Sequence, residues 1–225
     1  MAAVFDDNTS SDIHFYTNHG PDHLKVAITL EELGLFYRAH NLESDPTHED
    51  PYFPHIAPHG RLPGITDVTA SGHNVRLFES GSIMQYLTLR YDTMHHLSYP
   101  QNSPEAFEVS NWLFYAKTHL GPAQKEAEHF TNEVEDSKDK VSYATERFRN
   151  ETMRLYLVLE AHLRKAKSAY LVGEKCTIAD VAVFPWVARA DEAGVDVEQF
   201  PELTAWLERM ERRPAVKRVL EREGQ

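Results

Sequence analysis

Apolar positions change their period along this chain, and the change divides it. Early on they come in short runs of strand length, each closed by turn residues: Ile13-His14-Phe15-Tyr16, residues 36–42, 64–68 and 75–78. Between the first two, Val26, Ile28, Leu30 and Leu33 recur at helical spacing and stop at Gly34, a residue suited to ending a helix. Asn18-His19-Gly20-Pro21 ahead of them is turn chemistry, and Asp22 is placed to cap the helix. Residues 45–60, rich in Pro and His, predict a loop too punctuated for regular structure. Residues 80–91 predict another helix, with Ile83, Leu87 and Tyr91 on one face. The predicted order is β-α-β-loop-β-β-α over residues 12–92, behind a polar leader at 1–11.

After residue 92 no convincing strand is left. Residues 93–104, with His95-His96, Pro100 and Pro104, read as a linker. Residues 105–130 and 138–167 carry two long helical patterns. The second has a stripe of Phe148, Thr152, Leu155, Leu159 and Leu163. The acidic stretch 126–139 between them predicts a solvated helix end and turn. Thr177-Ile178-Ala179-Asp180 reads as a capping box opening a very apolar helix. Pro201 and Pro214 fall at the first turns of two more. The expected fold is an α/β N-terminal domain, followed at 105–225 by an all-α domain.

Composition narrows the function classes. With 225 residues and 41% hydrophobic content, the chain can bury a core without staples. A formal charge of −12 disfavours nucleic acid and anionic membranes as partners. The longest uncharged apolar run, 181–188, contains Pro185 and is too short to span a bilayer. The start has no basic segment followed by an apolar stretch, so a cytoplasmic location is expected. A single cysteine, Cys176, excludes an internal disulfide and a redox pair; its place beside an apolar run reads as structural rather than nucleophilic. No metal site is expected among the thirteen histidines.

The chemistry concentrates in two stretches, Gly60-Arg61-Leu62-Pro63-Gly64-Ile65 and Phe78-Glu79-Ser80-Gly81. A Pro just before a strand is a candidate for a cis bond in a constrained turn, although most such bonds are trans. That turn would present the Leu62 backbone to an extended peptide, as an added strand is presented. Glu79 and Ser80 open a helix, so a carboxylate, a hydroxyl and helix N–H groups converge there; they are either a helix cap or a site for a ligand carrying both ammonium and carboxylate. Tyr115 and His119, four apart on one predicted helix face, read either as core packing or as the wall of a pocket.

In this order and spacing, the strand-turn-helix of residues 13–34, the Arg-Leu-Pro turn, the Glu-Ser-Gly helix start and the Thr-Ile-Ala-Asp box resemble the cytosolic glutathione S-transferase superfamily over residues 12–220. Trp112-Leu113-Phe114-Tyr115…Leu120-Gly121-Pro122 and Glu146-Arg147-Phe148…Glu151-Thr152…Arg154-Leu155-Tyr156 are most similar to its nu class and the related fungal branch that includes a nitrogen-catabolite regulator. The resemblance implies a thioredoxin-like domain, an all-helical domain and a homodimer, with glutathione as co-substrate or cofactor. It implies that Leu62 pairs with the cysteinyl backbone of glutathione, that Glu79 and Ser80 hold its γ-glutamyl ammonium and carboxylate, and that Arg61 and His48 contact it. It also implies that Arg147 reaches the ligand across the dimer, where the residues alone allow an ion pair with Glu151 instead. Tyr115 and His119 would line the pocket for a second, hydrophobic substrate.

One position departs from the family pattern. Asp22 stands where the branch has an Asn, and Gly20 where a Thr can stand. An ionised Asp accepts hydrogen bonds but donates none, so beside a thiolate it would repel. Either it caps the helix, or it takes the thiol proton, or Thr17, Asn18 or His19 replaces it; Asn18 and Asp22 are therefore the catalytic candidates. The resemblance implies a glutathione-dependent transferase acting on a hydrophobic electrophile. A glutathione-dependent cis–trans isomerase of an activated alkene (fungal secondary metabolism), a glutathione-dependent disulfide reductase and a non-catalytic glutathione-binding regulatory protein are the alternatives.

Overall fold

The computed structural model describes residues 12–42, 52–69, 71–132, 138–166 and 168–223, with residues 132, 138–141 and 223 described by backbone alone. They divide into two compact units, one ending at Leu87 and the other beginning at Thr88.

In the first unit β1 (Ile13–Thr17) lies inside a four-stranded sheet of order β2-β1-β3-β4. It runs parallel to β2 (Tyr37–Asn41) and antiparallel to β3 (Gly64–Val68), which pairs antiparallel with β4 (Asn74–Phe78). A parallel pair needs a crossover, and α1 (Pro21–Glu32) supplies it. The inner position of β1 explains why Ile13, Phe15, Tyr16 and Thr17 are all buried, whereas β2 at the edge is largely exposed. Gly34 follows α1 with φ 63°, and Leu35 N–H closes on Leu30 O at 3.0 Å, a left-handed stop that glycine adopts without steric cost. Then α2 (Ser80–Tyr91) buries Ile83, Met84 and Leu87.

Two expectations change here. Asp22 does not cap α1: Gly20 is the N-cap residue, Pro21 takes the first helical position, and Asp22 falls within the first turn with its carboxylate turned elsewhere. Within 45–60, where no regular structure was expected, a 3-10 turn forms at Phe53–His55. Phe53, Ile56 and Ala57 need a tight turn to bury together, and they cluster with Tyr16 and Leu42 while Leu62 packs against them.

The second unit is helical: α3 (Pro104–Tyr115), α4 (Gly121–Asn132), α5 (Lys138–Ala166), α6 (Ile178–Val187), α7 (Pro201–Glu211) and α8 (Pro214–Glu223). The stretch 105–130 is not one helix, because a π-helical segment at Ala116–Leu120 separates α3 from α4. Gly121 follows it, and a Cβ there would sit 2.8 Å from a ring carbon of Trp186, so only glycine allows that approach. Thr152, Leu155, Leu159 and Leu163 form the buried stripe of α5; Phe148 is only partly covered and stacks on Phe130 at 5.7 Å. The capping box at Thr177 and Asp180 forms as read. Segment 93–104 is tied rather than loose at its start. Asp92 accepts from His96 N–H at 2.6 Å, Leu97 N–H at 2.8 Å and the Ser98 hydroxyl at 2.7 Å.

Candidate functional site

Leu62–Pro63 is a cis peptide bond, leading directly into β3. The half-buried Leu62 side chain rests on the Phe53–Ile56 cluster, which fixes the turn from below. Across β3, Gly64 pairs with Phe78, so the end of β4 and the start of α2 are brought beside the turn. A Cβ on Gly64 would lie 3.0 Å from Ile56 and 3.1 Å from Phe53, which keeps this junction tight.

Glu79 stands at that junction with φ 69°, in the left-handed region that a non-glycine residue rarely adopts. Its carbonyl accepts from Ile83 N–H at 2.9 Å, so it begins the ladder of α2. Its side chain is 39% exposed and lies 3.5 Å from Nε2 of His59. His59 Nδ1 accepts from Arg61 N–H at 3.0 Å, which places the proton of a neutral ring on Nε2, facing Glu79. Arg61 itself is exposed. Ser80, in contrast, is 2% exposed, and its hydroxyl donates to Asp22 Oδ1 at 2.6 Å. The same oxygen accepts from Lys25 Nζ at 2.8 Å, and the Lys25 side chain is buried. The structure thus brings Asp22, Glu79 and Ser80 together, with Arg61 and Leu62 on the adjoining turn.

Around the turn after β1, the buried Thr17 hydroxyl is engaged by His23 Nδ1 and donates to Asn18 O at 3.2 Å. Asn18 and His19 are exposed. Two histidine pairs, His19/His23 and His55/His59, stand four apart, a spacing that can ligate metal from one helix face. Among the described residues, however, no group of three or more potential ligands is gathered. His48 lies outside the described residues.

In the second unit Tyr115 and His119 remain neighbours despite the π-helical segment, their rings stacked at 5.9 Å. The Tyr115 hydroxyl donates to Leu155 O at 2.8 Å, and burial pushes its pKa well up, so it is held neutral and structural at that end. Trp112 packs edge-on against Tyr115 at 5.2 Å, and His119 is exposed with Nδ1 2.7 Å from the Thr118 hydroxyl. Arg147 is exposed on α5 with its guanidinium 5.7 Å from the Phe148 ring centre. Glu151, the ion-pair partner that spacing offered it, is held instead by Arg154 through two hydrogen bonds of 2.8 and 2.7 Å.

Sequence reasoning did not single out Lys25 and His59. Lys25 follows Asp22 by three positions, a spacing that puts the two side chains on one helix face. His59 had no such signal, since its contact with Glu79 depends on how the cis turn and β4 meet.

The profile of the family described as "Glutathione S-transferase, C-terminal domain" matches residues 110–214. The glutathione S-transferase-like protein gedE of Aspergillus terreus is 37% identical over 89% of this chain and 91% of its own length. The disulfide-bond oxidoreductase YfcG of Escherichia coli is 33% identical over 92% and 94%. The glutathione transferase URE2P6 from Phanerochaete chrysosporium, solved in complex with oxidized glutathione, superposes with a TM-score of 0.82 at 31% identity, covering 95% of this chain and 97% of that one. The chain belongs to the cytosolic glutathione S-transferase superfamily. Within it, the similarity runs to the fungal Ure2-like branch. A thioredoxin-like domain followed by a helical domain is its fold. No described helix is long and apolar enough to cross a membrane.

Proposed function

We propose that this protein binds glutathione along the Leu62–Pro63 edge and directs its thiol at a hydrophobic electrophile. The observation that carries this reading is the junction of the cis turn with the strained, half-exposed Glu79 at the start of α2. A carboxylate held ready there matches the γ-glutamyl ammonium, while Arg61 on the turn offers fixed donors to a carboxylate. In the reaction, the thiol sulfur forms a C–S bond with an activated carbon. The thiol proton goes to solvent when a halide leaves, or to the neighbouring carbon when an alkene is attacked. Tyr115 and His119 are the residues proposed to contact the hydrophobic second substrate.

The isomerase alternative rested on Asp22 repelling the thiolate. With the Asp22 carboxylate turned to Ser80 and Lys25, that motive weakens and conjugation becomes the leading reaction. Disulfide reduction remains the second reading, favoured by the YfcG similarity and by the oxidized glutathione in the URE2P6 complex. Cys176 is 2% exposed, so glutathione would supply both thiols. The first attacks the substrate disulfide, forming a new disulfide with one sulfur and releasing the other as a thiol. The second attacks that new disulfide, releasing the remaining substrate thiol and leaving oxidized glutathione. The expected result from purified protein given an enone, an aryl halide and a mixed disulfide is turnover saturable in glutathione, fastest with the carbon electrophiles. Fastest turnover of the disulfide would replace the first reading by the second. Glutathione binding with no turnover of any of the three would leave the regulatory alternative.

The protein is further proposed to act as a homodimer in which Arg147 lies near the partner's glutathione. Light scattering at micromolar concentration is expected to give twice the 25.8 kDa chain mass. A monomer would remove any role for Arg147 in trans.

A further inference from the structure

Cations gather around one short segment of this acidic chain. Ser168-Ala169-Tyr170 follows the end of α5, and Arg164-Lys165-Ala166-Lys167 leads into it, three cations in the four positions before the serine. Arg164 is held by Glu160 Oε1 at 2.5 Å, whereas Lys165, three positions before Ser168, is exposed. From the other side the end of α7 supplies two arginines. Arg209 Nε donates to Ala169 O at 3.0 Å, and its guanidinium lies 6.0 Å from the Tyr170 ring centre. Arg213, two residues past α7, donates from Nη1 to the Tyr170 hydroxyl at 3.2 Å, with its guanidinium 5.9 Å from the same ring. Ser168 itself is half-buried, and its hydroxyl donates to Tyr170 O at 2.7 Å, closing a local turn.

We propose that Ser168 is a phosphorylation site for a serine kinase that reads basic residues ahead of its target, and that Arg209 and Arg213 receive the phosphate. The inference stands apart from the glutathione reading. Lys165 and Lys167 supply the basic positions that such a kinase pairs with its own carboxylates. In the transfer, Ser168 Oγ attacks the γ-phosphorus of ATP, the bond to the departing ADP breaks, and the hydroxyl proton passes to the kinase's base. The product has no hydroxyl proton, so the bond to Tyr170 O is lost. In exchange, a dianion stands one residue from the carbonyl that Arg209 already holds. A guanidinium carries five N–H donors in a fixed fork, and the bonds from Arg209 to Ala169 O and Ala205 O use two of them. The negative end of α5 opposes a phosphate, but that effect falls off within the last turn, whereas a phosphate facing arginines gains one to three charge-assisted bonds. The arginines win, and the modified segment is held to the end of α7 more tightly than the unmodified one.

The test is incubation of the folded full chain with magnesium ATP and the catalytic subunit of the cyclic-AMP-dependent protein kinase. Mass spectrometry then maps the phosphate, and urea unfolding followed by tryptophan fluorescence reads its effect. Phosphate is expected on Ser168, and Ser168→Ala is expected to lose that site; mapping on the wild type decides the site even if the variant fails to fold. At low salt the phosphorylated protein is expected to have an unfolding equilibrium constant about tenfold smaller than the unmodified protein, the scale of one charge-assisted bond. In about 1 M sodium chloride the difference should shrink to about threefold or less, because the phosphate lies near the surface and is screened. In Arg209→Gln, whose amide keeps a donor for Ala169 O, the phosphate should change the constant by about threefold or less at low salt as well. No phosphate on Ser168, or phosphate on another residue in its place, would overturn the inference. Phosphate on Ser168 that leaves stability unchanged or lowers it, or that acts equally in Arg209→Gln, would overturn the receiving role of the arginines.

Discussion

Replacing Asp180 by alanine is expected to cost about 3–5 kcal/mol of stability, the range seen when a buried charge network loses one member. The side chain is fully buried at the start of α6 and gathers donors from three directions. Oδ1 accepts from Leu171 N–H and Trp206 Nε1–H, both at 2.9 Å, while Oδ2 accepts from Thr177 N–H at 2.9 Å and the Thr177 hydroxyl at 3.2 Å. Burial pushes the carboxyl pKa up, and these donors pull against it. Alanine leaves two backbone N–H groups and an indole N–H buried without an acceptor, each costing roughly 1–3 kcal/mol before relaxation. It also removes the negative charge from a helix N-terminus. The three tryptophans, at 112, 186 and 206, all follow Thr88, so tryptophan fluorescence during urea unfolding reads the helical unit alone. A midpoint within about 1 kcal/mol of wild type would show that other acceptors replace the carboxylate.

Of that cluster, the capping box was legible from the chain because it is local: Thr177 and Asp180 are three apart, and the chemistry of a helix start relates them directly. The Leu171 and Trp206 donors, 9 and 26 positions from Asp180, were not. The strands, α1, α2 and the buried stripe of α5 were legible for a similar reason, since period follows burial on one face. The π-helical segment was not. Its residues, Ala116 to Leu120, continue an α-helical pattern, and the extra residue per turn leaves no mark in composition. In the site, the cis turn and the Glu79-Ser80 start were visible as motifs, but the Asp22–Ser80 bond joins residues 58 positions apart. The family resemblance puts Asp22 where the branch has an Asn, and leaves open whether it caps the helix, meets the thiol or is replaced by a neighbour. The structure turns it to a hydroxyl and an ammonium that only the folded sheet brings near. Lys25 could be found by helix spacing alone; its burial could not.

Glutathione binding and fold stability are expected to separate at Glu79. Glu79→Gly removes the carboxylate while suiting the backbone, because φ 69° is a conformation that glycine reaches without the Cβ clash. The helix start keeps its first backbone bond, Ile83 N–H to Glu79 O, since that bond needs no side chain. The contact to His59, at 3.5 Å and partly exposed on both sides, adds little to stability. The midpoint of unfolding is therefore expected to stay within about 1 kcal/mol of wild type or to rise. Glutathione affinity is expected to fall about 10–100-fold, because a ligand ammonium then loses a charged partner. Glu79→Gln, which retains shape and a carbonyl acceptor but no charge, should fall between the two. In turnover, both variants should raise KM for glutathione far more than they lower kcat, since the γ-glutamyl end binds equally in the ground and transition states. Strain at a half-exposed carboxylate is what a binding site keeps and a helix cap has no need of. A Glu79→Gly protein that loses stability but binds glutathione as tightly as wild type would make Glu79 a structural residue and move the ammonium site elsewhere.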